Sequence, residues 1–336
     1  MHRRKRANLR DVAERSGVSV ATVSRVLNTP MRVSETTRSR VEDAIRDLRF
    51  TRSAAARAIN TGRSNTIGAL IPTLDHAIFA KFLGRLEQDL SARGLSLLVS
   101  TTGSDPAVEL RKAEALLDIG VEGLIVSGMD HAQGFDDLIA RFGVPVVLTS
   151  VYSQNARYPT IGYDNRSVAQ TALGHLADLG HRRIAVIHGP TAQNDRTRAR
   201  IAGLETSGLP VELSFAEGRL GVSGGVQAVV DLPRGANRPT AILCLSDVLA
   251  LGALFELNRQ GVAVPEDMSL MGIDDLAWAR SSAPGLTTVR LPAEEMGART
   301  AVAISAWVAE GDRPRSERLT EELITRASTR SIVSTG

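Results

Sequence analysis

Apolar and polar positions recur along this chain with two different periods, and the change of period divides it. Between residues 9 and 28 the spacing is helical. Leu9, Val12 and Ala13 share one face, Gly17 interrupts it, and Val23, Val26 and Leu27 form a second face. Gly17 is suited to end the first helix in the left-handed conformation, and Ser19 to cap the second. The helices turn these faces towards each other, leaving Val20, Ala21, Thr22, Ser24 and Arg25 outside. Ser34 as cap and Glu35 in the first turn open a third helix, with Val41, Ala44, Ile45 and Leu48 on one face. A three-helix head ending near Phe50 is predicted. Residues 53–60 follow, short, cationic and rich in alanine, with Ile59 the one large apolar side chain. At about eight residues this segment is too short to be a stable helix alone in water and could fold only against a partner.

From residue 64 the stripe gives way to continuous apolar runs. Strands are predicted at 67–72, 95–100, 123–127, 145–150, 183–188, 211–216, 241–245 and 268–273. Helices are predicted near 77–93, 110–119, 135–142, 168–179, 198–207, 224–231 and 249–260. Apolar strands alternating with helices imply parallel sheets covered on both faces. Two such series imply two doubly wound lobes, with ligand held where the carboxyl ends of the strands meet the cleft.

Charge sharpens the division. The whole chain carries 40 Lys and Arg against 37 Asp and Glu, a net of +3, but residues 1–64 hold 15 against 6, a net of +9. The remainder holds 25 against 31, a net of −6. A basic head on a mildly acidic body is the footprint of a nucleic-acid-binding domain attached to something else. The outer face of the second helix suits a DNA major groove, and Arg25 could donate two hydrogen bonds to a guanine, worth about 1–3 kcal/mol of discrimination. An ordinary helical hairpin with a solvated face has the same pattern, and Val20 and Ala21 could shape that face without specifying a base. The basic run at residues 2–6 is either a phosphate-attracting arm or a solvated terminus.

Other features exclude classes. No stretch of 18 apolar residues would span a membrane, and no apolar leader marks secretion. Cys244 is the single cysteine, flanked by apolar residues, which predicts a buried strand position in a reducing cytoplasm. The six histidines are scattered, so no metal or other cofactor is expected. There is no phosphate loop, nucleophile elbow or zinc-protease motif, and the neighbouring pairs Asp136/Asp137, Asp274/Asp275 and Glu294/Glu295 point in different directions on regular structure.

The order of parts, and the motifs VSVATVSRVLN at the head, SAAARAIN after it, IGALIP, GYDN, LGHRRIAVIHGP, RARIAG, VPEDMSLMGIDD and LTTVRLP, resemble the lac repressor/galactose repressor (LacI/GalR) family of bacterial transcription regulators. The resemblance runs from Leu9 to about Arg330. It implies a helix-turn-helix head over residues 1–52, a hinge helix over 53–64, and a periplasmic-binding-protein-like core over 65–336. Lobe 1 would comprise about 65–164 with 290–320, and lobe 2 about 165–289 with 321–330. It places base-reading positions at Val20, Ala21 and Arg25, with Ser19, Thr22, Ser24 and Asn28 at phosphates and helix ends. In the hinge, Ile59 stands where the family wedges a leucine into the minor groove, with Ala56, Arg57 and Asn60 beside it.

The effector-contacting positions implied by the resemblance are Ile78 and Phe79 on lobe 1, Asp164 at the crossover, and Asn194, Arg196, Arg200, Leu220, Ser246 and Asp274 on lobe 2. Leu220 replaces an aromatic that often stacks on a flat ligand. Arg196, Arg198 and Arg200 suit an anionic ligand such as a sugar acid, or else structural pairs with Asp195 and Glu205. The expectation is a homodimeric repressor on a near-palindromic operator, controlled by a sugar, sugar acid or similar metabolite, cytoplasmic and associated with the nucleoid when DNA-bound. The chain stops soon after Arg330 without a heptad tail, which favours a dimer over a tetramer. A solute receptor and an enzyme on the same scaffold are the competing readings.

Overall fold

A computed structural model of the protein describes residues 7–50, 62–233, 235 and 238–332. The hinge expectation, with Ala56, Arg57, Ile59 and Asn60, and the basic arm at residues 2–6 lie outside the described residues. Contacts divide the chain into two compact units meeting between Ser64 and Asn65.

The first unit contains α1 (Leu9–Ser16), α2 (Val20–Asn28) and α3 (Glu35–Asp47), with a short 3-10 turn between the last two. Asn8 and Asp11 form a reciprocal capping box at the start of α1, and Gly17 ends it at φ 65°. Val12, Val23 and Val41, one from each helix, are completely buried together. Ser34 does not cap α3 as its position suggests. Its hydroxyl turns to Thr37 Oγ1 at 2.9 Å and leaves the backbone donors alone.

The second unit holds two six-stranded sheets. The first consists of β1 (Thr66–Ile71), β2 (Ser96–Thr101), β3 (Gly123–Ser127), β4 (Val146–Thr149), β5 (Thr160–Gly162) and β11 (Glu317–Arg318), in the order β11-β5-β4-β3-β1-β2. The second consists of β6 (Arg183–His188), β7 (Glu212–Glu217), β8 (Ala241–Cys244), β9 (Ser269–Asp274), β10 (Thr287–Arg290) and β12 (Glu322–Ile324), in the order β12-β10-β9-β8-β6-β7. Every pairing is parallel except β10 with β12. Cys244 is fully buried in β8, and burial pushes its thiol pKa up.

Helices α4 (Ala77–Ser91), α5 (Pro106–Ile119) and α6 (Phe135–Phe142) belong to lobe 1, and α7 (Asn165–Asp178), α8 (Asp195–Glu205), α9 (Val222–Val230) and α10 (Asp247–Arg259) to lobe 2. The long α11 (Ala293–Glu310) returns to lobe 1 and packs on α4. Gly297 permits that approach, because a Cβ there would stand 2.6 Å from the Phe82 carbonyl oxygen. Among the described residues the chain therefore crosses between lobes after β5, after β10 and after β11.

Candidate DNA-reading face and effector cavity

In the head, Ser19 caps α2 by accepting from the Thr22 N–H at 3.1 Å, and its hydroxyl also meets Thr22 Oγ1 at 2.9 Å. The burial of Val23 and Val26 turns the opposite side of α2 outward. Val20, Ala21, Arg25 and Asn28 are exposed there, and Thr22 and Ser24 are half-buried. Ser24 Oγ accepts from Asn28 Nδ2 at 3.2 Å, whereas Arg25 pairs with no carboxylate among the described residues. The result is a small, hydroxylated ridge carrying an exposed guanidinium, presented by a capped helix.

In the core, a cavity of about 810 Å³ opens at the carboxyl ends of the strands of both lobes. Ile78, Phe79, Asn194, Arg196, Arg200, Leu220, Ser246 and Asp274 all line it. Asp164 does not. It occupies the N-cap of α7, where its carboxylate accepts from the Arg166 N–H at 2.9 Å, so a local backbone donor has taken the acceptor expected for a ligand. Asn194 caps α8 in the same manner through the Thr197 N–H at 3.2 Å while remaining in the wall.

Asp274 is the centre of the polar wall. It is only 6% exposed and its backbone is held at φ 131°, a strained conformation for a residue with a side chain. Its Oδ2 accepts from Ser246 Oγ at 2.8 Å and from the Asp247 N–H at 3.4 Å. Burial raises its pKa, against the opposing pull of the Arg200 charge. Behind it Asp247, fully buried, accepts from the Leu276 N–H at 2.8 Å and from Thr288 Oγ1 at 2.7 Å. Burial, reinforced by the Asp274 charge, pushes the Asp247 pKa up to about 7.

The arginines are committed to protein acceptors. Arg200 donates through Nε to Asn165 Oδ1 at 3.0 Å and through Nη1 to the Leu245 carbonyl at 2.5 Å. Arg196 donates to the Ser127 carbonyl at 3.1 Å and lies 3.1 Å from Asp195. Arg198 pairs with Asp130, and none of the three pairs with Glu205. Of the pairs expected from the sequence, Arg196 with Asp195 is present, while Arg200 reaches the cavity wall with neutral partners. Sequence reasoning missed His76, Tyr163 and Trp278 in the wall. His76 stacks on Phe79 at 6.4 Å, and Trp278 supplies on lobe 2 the aromatic surface that Leu220 lacks. Trp278 lies on a short turn beyond the last predicted strand, where periodicity gives no signal.

Family models match both units. Residues 8–53 match the model for bacterial regulatory proteins of the lacI family, and residues 173–329 match a periplasmic binding protein-like domain. The chain is 32% identical to the HTH-type transcriptional repressor CytR of Escherichia coli (strain K12) over 337 residues, covering 97% of each protein. It is 30% identical to the HTH-type transcriptional repressor PurR of Haemophilus influenzae (strain PittEE) over 335 residues, 97% of this chain and 100% of that one.

The chain belongs to the LacI family of bacterial regulatory proteins.

Its fold matches that of the lac repressor dimer bound to operator and the anti-inducer ONPF, with a TM-score of 0.87 and 26% identity over 97% of this chain and 100% of that one. Within the LacI family the relatives named here are repressors of transcription, not enzymes. No helix among the described residues is long and apolar enough to cross a membrane.

Proposed function

We propose that this LacI-family protein is a ligand-controlled repressor that binds a near-palindromic operator as a homodimer in the cytoplasm. The observation that carries the reading is that one chain joins a basic three-helix head, with an outward-facing α2, to a cavity lined from two lobes. In this reading residues 1–52 are the head, 53–64 the hinge and 65–336 the effector-binding core. Val20, Ala21 and Arg25 meet base edges, while Ser19, Thr22, Ser24 and Asn28 hold phosphates and helix ends. Ala56, Arg57, Ile59 and Asn60 meet the central minor groove. Two cores associate through apolar positions exposed on the outer strands and α10, namely Leu98, Val99, Phe215 and Phe255.

The effector is a small hydroxyl-bearing metabolite such as a sugar. Asp274 accepts its hydroxyls, and Phe79 and Trp278 pack on its apolar faces. Arg200, whose hydrogen-bond partners are neutral, leaves a sugar acid within the same class of ligand. Binding shifts the equilibrium between DNA-competent and incompetent arrangements of the lobes. The test is a gel-shift assay on the DNA upstream of the chain's own gene, with a thermal-shift screen of sugars, sugar acids and nucleosides. Sequence-selective, salt-sensitive binding that a stabilising compound alters supports the proposal. Absence of any sequence preference overturns it.

A further inference from the structure

The first turn of α8 does two things at once. It contributes Arg196 to the cavity wall, with Asn194 just before it and Arg200 one turn further on, and it grips the opposite lobe through the loop that follows β3. Arg196 Nη1 donates to the Ser127 carbonyl at 3.1 Å, the Met129 N–H donates to Asp195 Oδ2 at 2.5 Å, and Arg198 pairs with Asp130. Asp195 and Arg196 also pair with each other at 3.1 Å, and both side chains are 13% exposed. Thus a half-buried acid–base pair on lobe 2 also hydrogen-bonds the backbone of lobe 1, with a more exposed ion pair beside it.

Gly128 lies between these contacts at φ 98°. A Cβ there would overlap the Arg196 guanidinium and come within 3.0 Å of Asp195. The loop therefore reaches α8 only because position 128 has no side chain. A second interlobe contact runs from Lys81 Nζ to the Asp275 carbonyl at 2.7 Å.

We propose that Asp195, Arg196 and Arg198 form an ionic latch with residues 127–130, and that these are positioning residues which set the angle between the lobes rather than ligands of the effector. The proposal rests on the reading of the cavity as an effector site, and it assigns regulation of that site to the neighbouring contacts. Because α8 carries both the wall and the latch, a compound that moves the wall changes the latch, and loss of the latch changes the wall. The exposed ion pair makes the closed arrangement sensitive to salt, whereas the Asp195–Arg196 pair is screened less.

The experiment reads lobe geometry in the full-length chain without any ligand. Spin labels are placed at Lys112→Cys on lobe 1 and Asp231→Cys on lobe 2, both exposed, while the buried Cys244 stays unlabelled. Labelled chains are diluted into unlabelled protein, so that pulsed dipolar spectroscopy reports distances within one chain. Asp130→Arg should shift the distribution to longer distances and broaden it, and adding Arg198→Asp should restore it. About 1 M salt, with a screening length of about 3 Å, should shift the wild type in the same direction. Gly128→Ala should open the lobes further than either single charge change.

A distribution in Asp130→Arg that superimposes on the wild type overturns the latch, as does failure of the double reversal to restore closure. Arg198→Gln gives the same reading should Asp130→Arg not accumulate as folded protein. A barren ligand screen would strike the effector reading alone, and an unchanged distance distribution would strike the latch alone.

Discussion

Ser246 donates its hydroxyl to Asp274 across 2.8 Å, joining the residue just before α10 to the last residue of β9. The bond holds one carboxylate oxygen of a residue that lines the cavity. Asp274→Asn should therefore lose about 1.5–3 kcal/mol of binding for any compound found in the thermal-shift screen, the worth of a hydrogen bond to a charged group. Calorimetric titration of both proteins checks this, and equal affinity would remove Asp274 from the site.

The acid behind it predicts a pH dependence. Folding raises the Asp247 pKa to about 7, with burial the main cause, so the folded chain holds a proton that the unfolded chain releases near its ordinary value of about 4. This contribution to stability is fully present below about pH 4 and is lost as pH rises through about 7. Asp247→Asn, which keeps its bonds to Leu276 and Thr288 if the threonine hydroxyl reorients, should flatten the fall in Tm over that interval. Melting curves across the interval that keep the wild-type slope would contradict it. Asp275 acts with the opposite sign. Burial pushes it up, but bonds from Arg326 and Arg290 outweigh burial and hold it low, so its contribution fades only as pH falls.

In the head, Arg25→Ala should cost about 1–3 kcal/mol on the preferred operator and far less on unrelated DNA. Competition gel shifts with both DNAs measure the difference. A uniform loss on both would make Arg25 a phosphate contact.

Two glycines should respond in opposite ways to the same change. Gly297→Ala forces α11 away from Phe82 and should destabilise the core by about 1–3 kcal/mol. Gly174→Ala in α7 has no atom within 4 Å of the new methyl and should gain up to about 1 kcal/mol from helix propensity. Urea unfolding of both variants tests the contrast.

The head and the parallel strands up to β9, apart from β5, were legible because one-sided and two-sided burial leave different periods. Helix starts were less so. α7, α8 and α10 begin at Asn165, Asp195 and Asp247, about two or three residues ahead of their apolar stripes, because a polar first turn carries caps rather than core. β5, β10, α11, β11 and β12 escaped the periodicity reading. β11 and β12 span two and three residues, too few to show a period, and α11 packs with small side chains such as Gly297 and Ala301. Within the cavity, residues at strand ends were found from the family resemblance. The fate of Asp164 and Arg196 was not, since a carboxylate or guanidinium reads the same in sequence whether it serves a ligand or a neighbour.

The three crossings between lobes govern how this core can be assembled. The first sheet gains β11 only at residues 317–318 and the second gains β12 at 322–324, so both lobes are completed by nearly adjacent residues. Neither lobe is a contiguous length of chain that could mature first on the ribosome. A break anywhere between α11 and β11 would leave each sheet without an edge strand on the N-terminal fragment. The two halves of the binding cleft thus receive their last strands within a few residues of each other, at nearly the same point of synthesis.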